Sequence, residues 1–236
     1  MVLSRRAALA AGLAATCAGR AVAGTTTDLA VSCDTAAGPA VIAAAAAYRQ
    51  QTGVRVRVFP TLQGLLLPQL ERDIQNDVIV TQLATIGRAA KEGLIQPGKS
   101  AGPWRNPLAI ATAADAPPGM FAVPDASPAS DIDGFAIARK LGTATDRVVG
   151  MLNTGAVAWA MVNGDARRGL LHQTEIRTDG RLRAQAAVPD DVWPPILYGA
   201  TVTTLAWRGD PAAFVAFLAS PAGRAVLLAA GLEDAA

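Results

Sequence analysis

The sequence predicts an α/β protein, and three observations carry that reading. Short runs rich in Val, Ile and Leu alternate with helix-length segments through the first hundred residues. Small-residue turns join them. Glycine and proline stand where helices end and begin. Strands alternating with helices at this spacing imply a mostly parallel sheet flanked by helices.

Leu29–Ser32 reads as a buried strand, and Gly38–Gln51 as a helix whose alanine tract favours tight packing. Val54–Phe59 alternates Val with Arg55 and Arg57, the pattern of a strand with one solvated face. Gln63–Asp73 reads as helix and Asp77–Thr81 as a third strand. Gln82–Glu92 is a helix stopped by Gly93, where a C-terminal glycine is expected. The Gly- and Pro-rich stretch Pro97–Pro107 reads as a crossing segment. Leu108–Thr112 and Phe121–Val123 are strands around a loop at 113–119. Ile132–Leu141 and Asp146–Leu152 read as helices, Val157–Val162 and Gln185–Val188 as strands. Ile196–Leu205 is a long apolar segment through Gly199. Pro211–Leu218 and Pro221–Ala230 close the chain, each with proline at a tolerated first-turn position.

The N-terminus reads as a targeting segment, residues 1–23. Arg5-Arg6 precedes a short apolar run, and Ala21-Val22-Ala23 gives a small-x-small cleavage pattern. The run is too short to span a bilayer, and "SRRAALA" resembles a twin-arginine export signal. Removing Arg5, Arg6 and Arg20 from the 21 basic residues leaves 18 against 19 acidic ones, so the mature chain is near neutral. Without a basic stripe interleaved with aromatics, nucleic acid is excluded as a partner. Cleavage after Ala23 leaves Cys33 as the one cysteine, which reads as a small buried hydrophobe. His172, the sole histidine, follows Arg167-Arg168 and reads as a structural residue of a surface segment. The four tryptophans read as core or lobe-packing residues. There is no Ser–His–Asp set, phosphate loop or Cys/His metal cluster, so the reading is a non-enzyme without metal or cofactor.

The order of elements resembles the periplasmic molybdate-binding proteins, the solute receptors of molybdate ABC transporters. The resemblance is carried by "LAVSCDTAAGPAVIAAAAAYRQQTGVRVRV", "PQLERDIQNDVIVTQLATIGRAAKEGLIQPG", "FAVPDASPASDIDGFAIARKLG", "LNTGAVAWAMVNGDA" and the closing "DPAAFVAFLASPAGRAVLLAAGL". It covers nearly all of the mature chain. It implies a two-lobed clamshell, with 24–106 plus 204–236 as one lobe and 107–203 as the other. The crossovers are expected near Arg105–Ile110 and Tyr198–Leu205. Such lobes close by hinge motion around a ligand at the carboxyl ends of the strands.

The resemblance further implies a periplasmic monomer that binds molybdate or tungstate and hands it to an ABC permease, without stable membrane insertion. A periplasmic accessory or sensing module for a redox enzyme or receptor, with another small ligand, is the alternative. The family grips its oxyanion with Ser hydroxyls, a Tyr hydroxyl and the N–H groups of helix starts, where partial positive charge gathers. Carried over by position, the ligand-binding residues are Thr35 and Ala36 in the first turn and Thr61, Gln63 and Gly64 in "PTLQG". Ser127 and Ser130 follow in "DASPASD", and Asn163 stands where the family has its tyrosine. The competing role for Thr35, Ser127 and Ser130 is a plain helix cap. Asp34, Asp125 and Asp131 read as caps or solvated loop acids. An acid facing the pocket would argue against a dianion.

Overall fold

The computed structural model describes residues 28–72, 74, 76–114, 119–127, 130, 132–143 and 147–235. The targeting segment and Asp131 lie outside them. Six strands form the first sheet: β1 (Leu29–Asp34), β2 (Val56–Thr61), β3 (Val78–Gln82), β4 (Ile95–Arg105), β10 (Leu197–Thr203) and β11 (Glu233–Asp234). Their order is β11-β4-β10-β3-β1-β2. The second sheet holds β5 (Leu108–Ala113), β6 (Met120–Pro124), β7 (Val148–Met151), β8 (Ala166–His172) and β9 (Leu182–Ala187), ordered β7-β6-β8-β5-β9.

The α/β class and the two lobes are as the sequence predicts, but each sheet is mixed. β1 runs parallel to β2 and β3, while β10 and β4 run antiparallel to their neighbours. β4 leaves for the other lobe and β10 returns from it, while the terminal β11 adds antiparallel to β4. The lobe partition also needs correction at one end. β10 hydrogen-bonds to β3 and β4, so 197–203 belongs with the first sheet, and the second crossing lies in 188–196. The stretch Pro97–Pro107, read as a crossing, mostly carries β4, so the first crossing narrows to Asn106-Pro107.

In the first lobe α1 (Gly38–Thr52) follows a 3-10 turn, Thr35–Ala37. It packs Val41, Ala44 and Tyr48 against Leu29, Val31 and Cys33 of β1. α7 (Pro211–Ala219) and α8 (Pro221–Ala229) complete this core with Phe214, Phe217 and Leu227. Each begins with proline after a capping side chain, Asp210 or Ser220. α2 (Gln63–Glu71) and α3 (Leu83–Lys91) join β2 to β3 and β3 to β4. Gly93 adopts φ +71° just after α3, a conformation that glycine reaches without strain. Cys33 is buried, and burial raises its thiol pKa with help from the neighbouring Asp34 charge.

The second sheet has a core on each face. Leu108 and Ile110 point to one, with Phe121, Val123 and Ile137 of α4 (Gly134–Lys140). Ala109 and Ala111 point to the other, with Val157 and Met161. This alternation along β5 is the period-2 signature of a strand.

Here the sequence reading fails locally. The segment read as a helix at Asp146–Leu152 carries β7, and the strand read at Val157–Val162 is α5 (Thr154–Val162). A short apolar run does not itself distinguish a buried strand from a buried helix. Asn153 decides the matter by accepting from Ala156 N–H at 2.9 Å as an N-cap. β8 and α6 (Gln173–Thr178) were not anticipated. Of the tryptophans, Trp104 is core, whereas Trp159 and Trp207 are 66% and 65% exposed.

α6 belongs to the second lobe but docks on the first. Arg177 Nη1 donates to the Ala229 carbonyl at 3.3 Å. Gly231, at φ +108°, comes so close that a Cβ would lie 2.9 Å from the Gln173 backbone.

Candidate functional site

The cleft between the lobes is lined by Asp34, Thr35, Ala36, Gln63, Gln82, Ser130, Ile132, Asn153, Thr154, His172 and Tyr198. It is narrow as it stands, with about 20 Å³ open to the centre of a water-sized group, room for about one water. Six of these residues come from strand ends or the turn after β1: Asp34, Thr35, Ala36, Gln82, His172 and Tyr198. Gln63 opens α2, and Asn153 and Thr154 open α5. The starts of α2 and α5, and of α1 through its preceding turn, therefore converge on the cleft with their partly positive N–H ends. Among the described lining residues there is no lysine or arginine.

Asp34 ends β1, beside Thr61 at the end of β2. Its side chain is 5% exposed. Oδ1 accepts from Ala36 N–H at 3.0 Å, and the Tyr198 hydroxyl donates to Oδ2 at 3.4 Å. Asp34 is thus a cap, as the sequence suggests, and also a wall of the cleft.

His172 stands across from it, fully within the structure rather than on a surface segment. The expectation fails because Arg167 and Arg168 sit at the outer end of β8, while the chain runs inward through Leu170 and Leu171 to the lobe junction. His172 Nδ1 lies 3.1 Å from the Asn106 carbonyl. A carbonyl only accepts, so Nδ1 carries the proton and Nε2 is left as an acceptor. Burial brings the ring's pKa down to about 4, partly offset by the Asn106 hydrogen bond, and the imidazole is neutral at pH 7.

Behind the cleft, Glu175 accepts from Thr154 Oγ1 at 2.8 Å and from His172 N–H at 3.0 Å. Burial pushes its carboxyl up to about 7 against these two bonds, and the Asp34 charge adds to the rise. Thr174 and Asn106 both donate to the Ala36 carbonyl, at 2.6 and 3.2 Å. The first turn is thereby held by the crossover and by the second lobe together.

Of the residues named from sequence, Thr35, Ala36, Gln63 and Ser130 reach the cleft. Thr35 Oγ1 donates to the Thr61 carbonyl at 3.1 Å, Gln63 Nε2 to Thr85 Oγ1 at 2.9 Å, and Ser130 Oγ accepts from Ile132 N–H at 3.3 Å. Thr61, Gly64 and Ser127 are not lining residues. The Thr61 hydroxyl turns back to the Phe59 carbonyl, and Gly64 lies within the first turn of α2. Ser127 pairs with Ser130 through the backbone. Asn163 is misplaced by the sequence argument. It is exposed at the C-terminal end of α5, donating to the Trp159 carbonyl at 2.9 Å, whereas the start of that helix faces the cleft. A tyrosine does line the cleft, but it is Tyr198 of β10. Gln82, Asn153, Thr154, His172 and Tyr198 were missed. The signal for Asn153-Thr154 was an N-cap before an apolar run. Tyr198 stood out as a polar aromatic in an apolar strand.

Two α/β lobes joined by two crossings, with helix starts and strand ends facing a shared cleft, define a solute-binding protein of the periplasmic-binding fold. The chain belongs to the bacterial extracellular solute-binding proteins, whose family model matches residues 29–233. No curated protein matches significantly. Solved structures do. The Azotobacter vinelandii periplasmic molybdate-binding protein aligns with a TM-score of 0.74 at 17% identity, over 88% of this chain and all (100%) of that one. The substrate-binding domain of a Clostridium difficile molybdenum ABC transporter gives 0.69 at 16% identity, over 89% and 99%. A Clostridium perfringens phosphate ABC transporter substrate-binding protein with bound phosphate gives 0.61 at 12% identity, over 89% and 100%. At such identities these likenesses establish the fold.

Proposed function

We propose that the protein captures a small tetrahedral oxyanion between its lobes in the periplasm and delivers it to the permease of an ABC importer, as a monomer without a resident cofactor. The observation that carries this reading is the convergence of three helix starts on a cleft rich in hydroxyls and amides, lined also by Asp34 and His172, with no lysine or arginine among the described lining residues. Helix N-termini hold anions through N–H groups and partial charge, and need no counter-cation. The molybdate- and phosphate-binding proteins of like fold support the same class of ligand. Molybdate and tungstate, the ligands implied by the sequence resemblance, belong to it.

Thermal unfolding of the mature chain with molybdate, tungstate, sulfate or phosphate tests the reading. A ligand at a hundred times its Kd stabilises the folded state by about 2.7 kcal/mol. At least one anion should raise the Tm accordingly, and failure of all four would refute the oxyanion class.

A further inference from the structure

Beside the cleft lies a larger space of different chemistry. A groove on the second lobe runs along α5 past Gly155, Ala158, Trp159 and Val162, positions that share one helix face. α6 and Leu182 of β9 form its other wall, and Thr35 and Pro39 of the first lobe line it where it meets the cleft. By the measure that gives the cleft about 20 Å³, the groove has about 340 Å³. Its lining is mostly hydrocarbon, and Trp159 is 66% exposed. An indole left open beside an apolar hollow marks a contact surface. The two acids at the groove are already engaged. Glu175 accepts from Thr154 Oγ1 and His172 N–H, and Asp179 accepts from Arg181 at 2.6 Å.

The two spaces meet at Thr35, which lines both. Across from it stands Gly155, where a Cβ would lie 3.6 Å from Thr35 Cγ2 and 3.3 Å from Asn153 Oδ1, itself a cleft residue. A bare glycine thus marks the junction between the first lobe's turn and the second lobe's helix start. Resting on the oxyanion reading, we infer that the oxyanion is the head group of an organic ligand, whose uncharged aromatic or alkyl body lies in the groove against Trp159. The cleft as it stands has room for about one water, so the lobes part to admit any oxyanion. Thr35 belongs to one lobe and Gly155 to the other, so the same parting opens the way from cleft to groove. The head stays at the helix starts. From Gly155 to Val162 the helix rises roughly 10 Å at ~1.5 Å per residue, enough for a ring or a short chain. A ring stacks on the indole, and burying either kind of body is favourable. An inorganic oxyanion fills the head position alone.

Titration calorimetry with matched probes tests the inference: phenylphosphonate against methylphosphonate, and benzenesulfonate against methanesulfonate, with inorganic phosphate, sulfate and molybdate alongside. Wild-type protein should bind the aromatic member of at least one pair at least tenfold more tightly than its methyl partner. Trp159→Ala should shrink that ratio at least fivefold, and Trp159→Phe should restore most of it, since a ring remains. Trp159 is exposed, so neither change opens a core, and melting curves verify the fold. Wild-type protein that binds an inorganic anion but prefers the aromatic member of neither pair would overturn the inference and leave the oxyanion reading standing. So would a preference that survives Trp159→Ala intact. If wild-type protein binds none of these probes, the oxyanion reading itself fails and the inference falls with it.

Discussion

The Thr174 hydroxyl, on α6 of the second lobe, donates to the Ala36 carbonyl in the first lobe's cleft-lining turn at 2.6 Å. Asn106 Nδ2, in the crossover, donates to the same carbonyl at 3.2 Å. One oxygen thus ties together the two lobes and the segment that links them. Thr174 is fully buried, so its O–H has no water to turn to.

Thr174→Val keeps the shape and removes the donor. Ala36 O retains Asn106, so the cost should fall near the low end of the range for a buried acceptor that loses a partner, about 1 kcal/mol. Urea denaturation measures it. Ligand affinity should weaken too, because the turn that carries Asp34 and Thr35 loses one anchor. An unchanged midpoint and affinity would show that the bond contributes nothing.

Glu175 and His172 give opposing pH dependences. Glu175 holds its proton more tightly when folded, at about 7 against an ordinary 4.5, so stability falls as pH rises between those values. His172 binds its proton less tightly when folded, at about 4 against 6.5, so stability rises as pH climbs through that window. The two contributions largely offset each other in the wild-type protein. Glu175→Gln should unmask the histidine, and stability should then rise from pH 4.5 to 6.5. His172→Asn should unmask the carboxyl and show a fall from pH 4.5 to 7. Urea midpoints across this range measure both, and flat profiles in both variants would contradict the assignment.

Asn153 and Asn163 bracket α5 and should behave differently. Asn153→Ala removes the N-cap at the cleft end, costs about 1 kcal/mol and weakens ligand binding. Asn163→Ala acts at an exposed helix end away from the cleft. Its stability change should stay within about 0.5 kcal/mol, with affinity unchanged. Calorimetry on the two variants side by side gives the comparison. A loss of affinity in Asn163→Ala would restore the site assignment made from sequence.

The first lobe was legible because its signals are local. Val, Ile and Leu runs bounded by glycine and proline gave β1 to β3 and the helices between them nearly to the residue. The second lobe was not, because α5 is an apolar run whose period says nothing and β8 opens with Arg167-Arg168. The same holds for the site. Thr35, Ala36 and Gln63 lie in turns beside their own strands, where sequence order places them. Asn153, His172 and Tyr198 reach the cleft only when the second lobe folds over the first and β10 returns to the first sheet, which no local pattern reports. Asp34 was visible as an acid in the right turn. Its orientation depended on Tyr198, 164 residues away in the chain.

The central claim is that the cleft takes a small oxyanion. A native mass spectrum of the mature protein, equilibrated with an equimolar mixture of phosphate and molybdate at pH 7, tests it most directly, since the two adducts differ clearly in mass. The account predicts a single oxyanion adduct as the dominant species. Protein without either anion, at concentrations that saturate an importer's receptor, would contradict it.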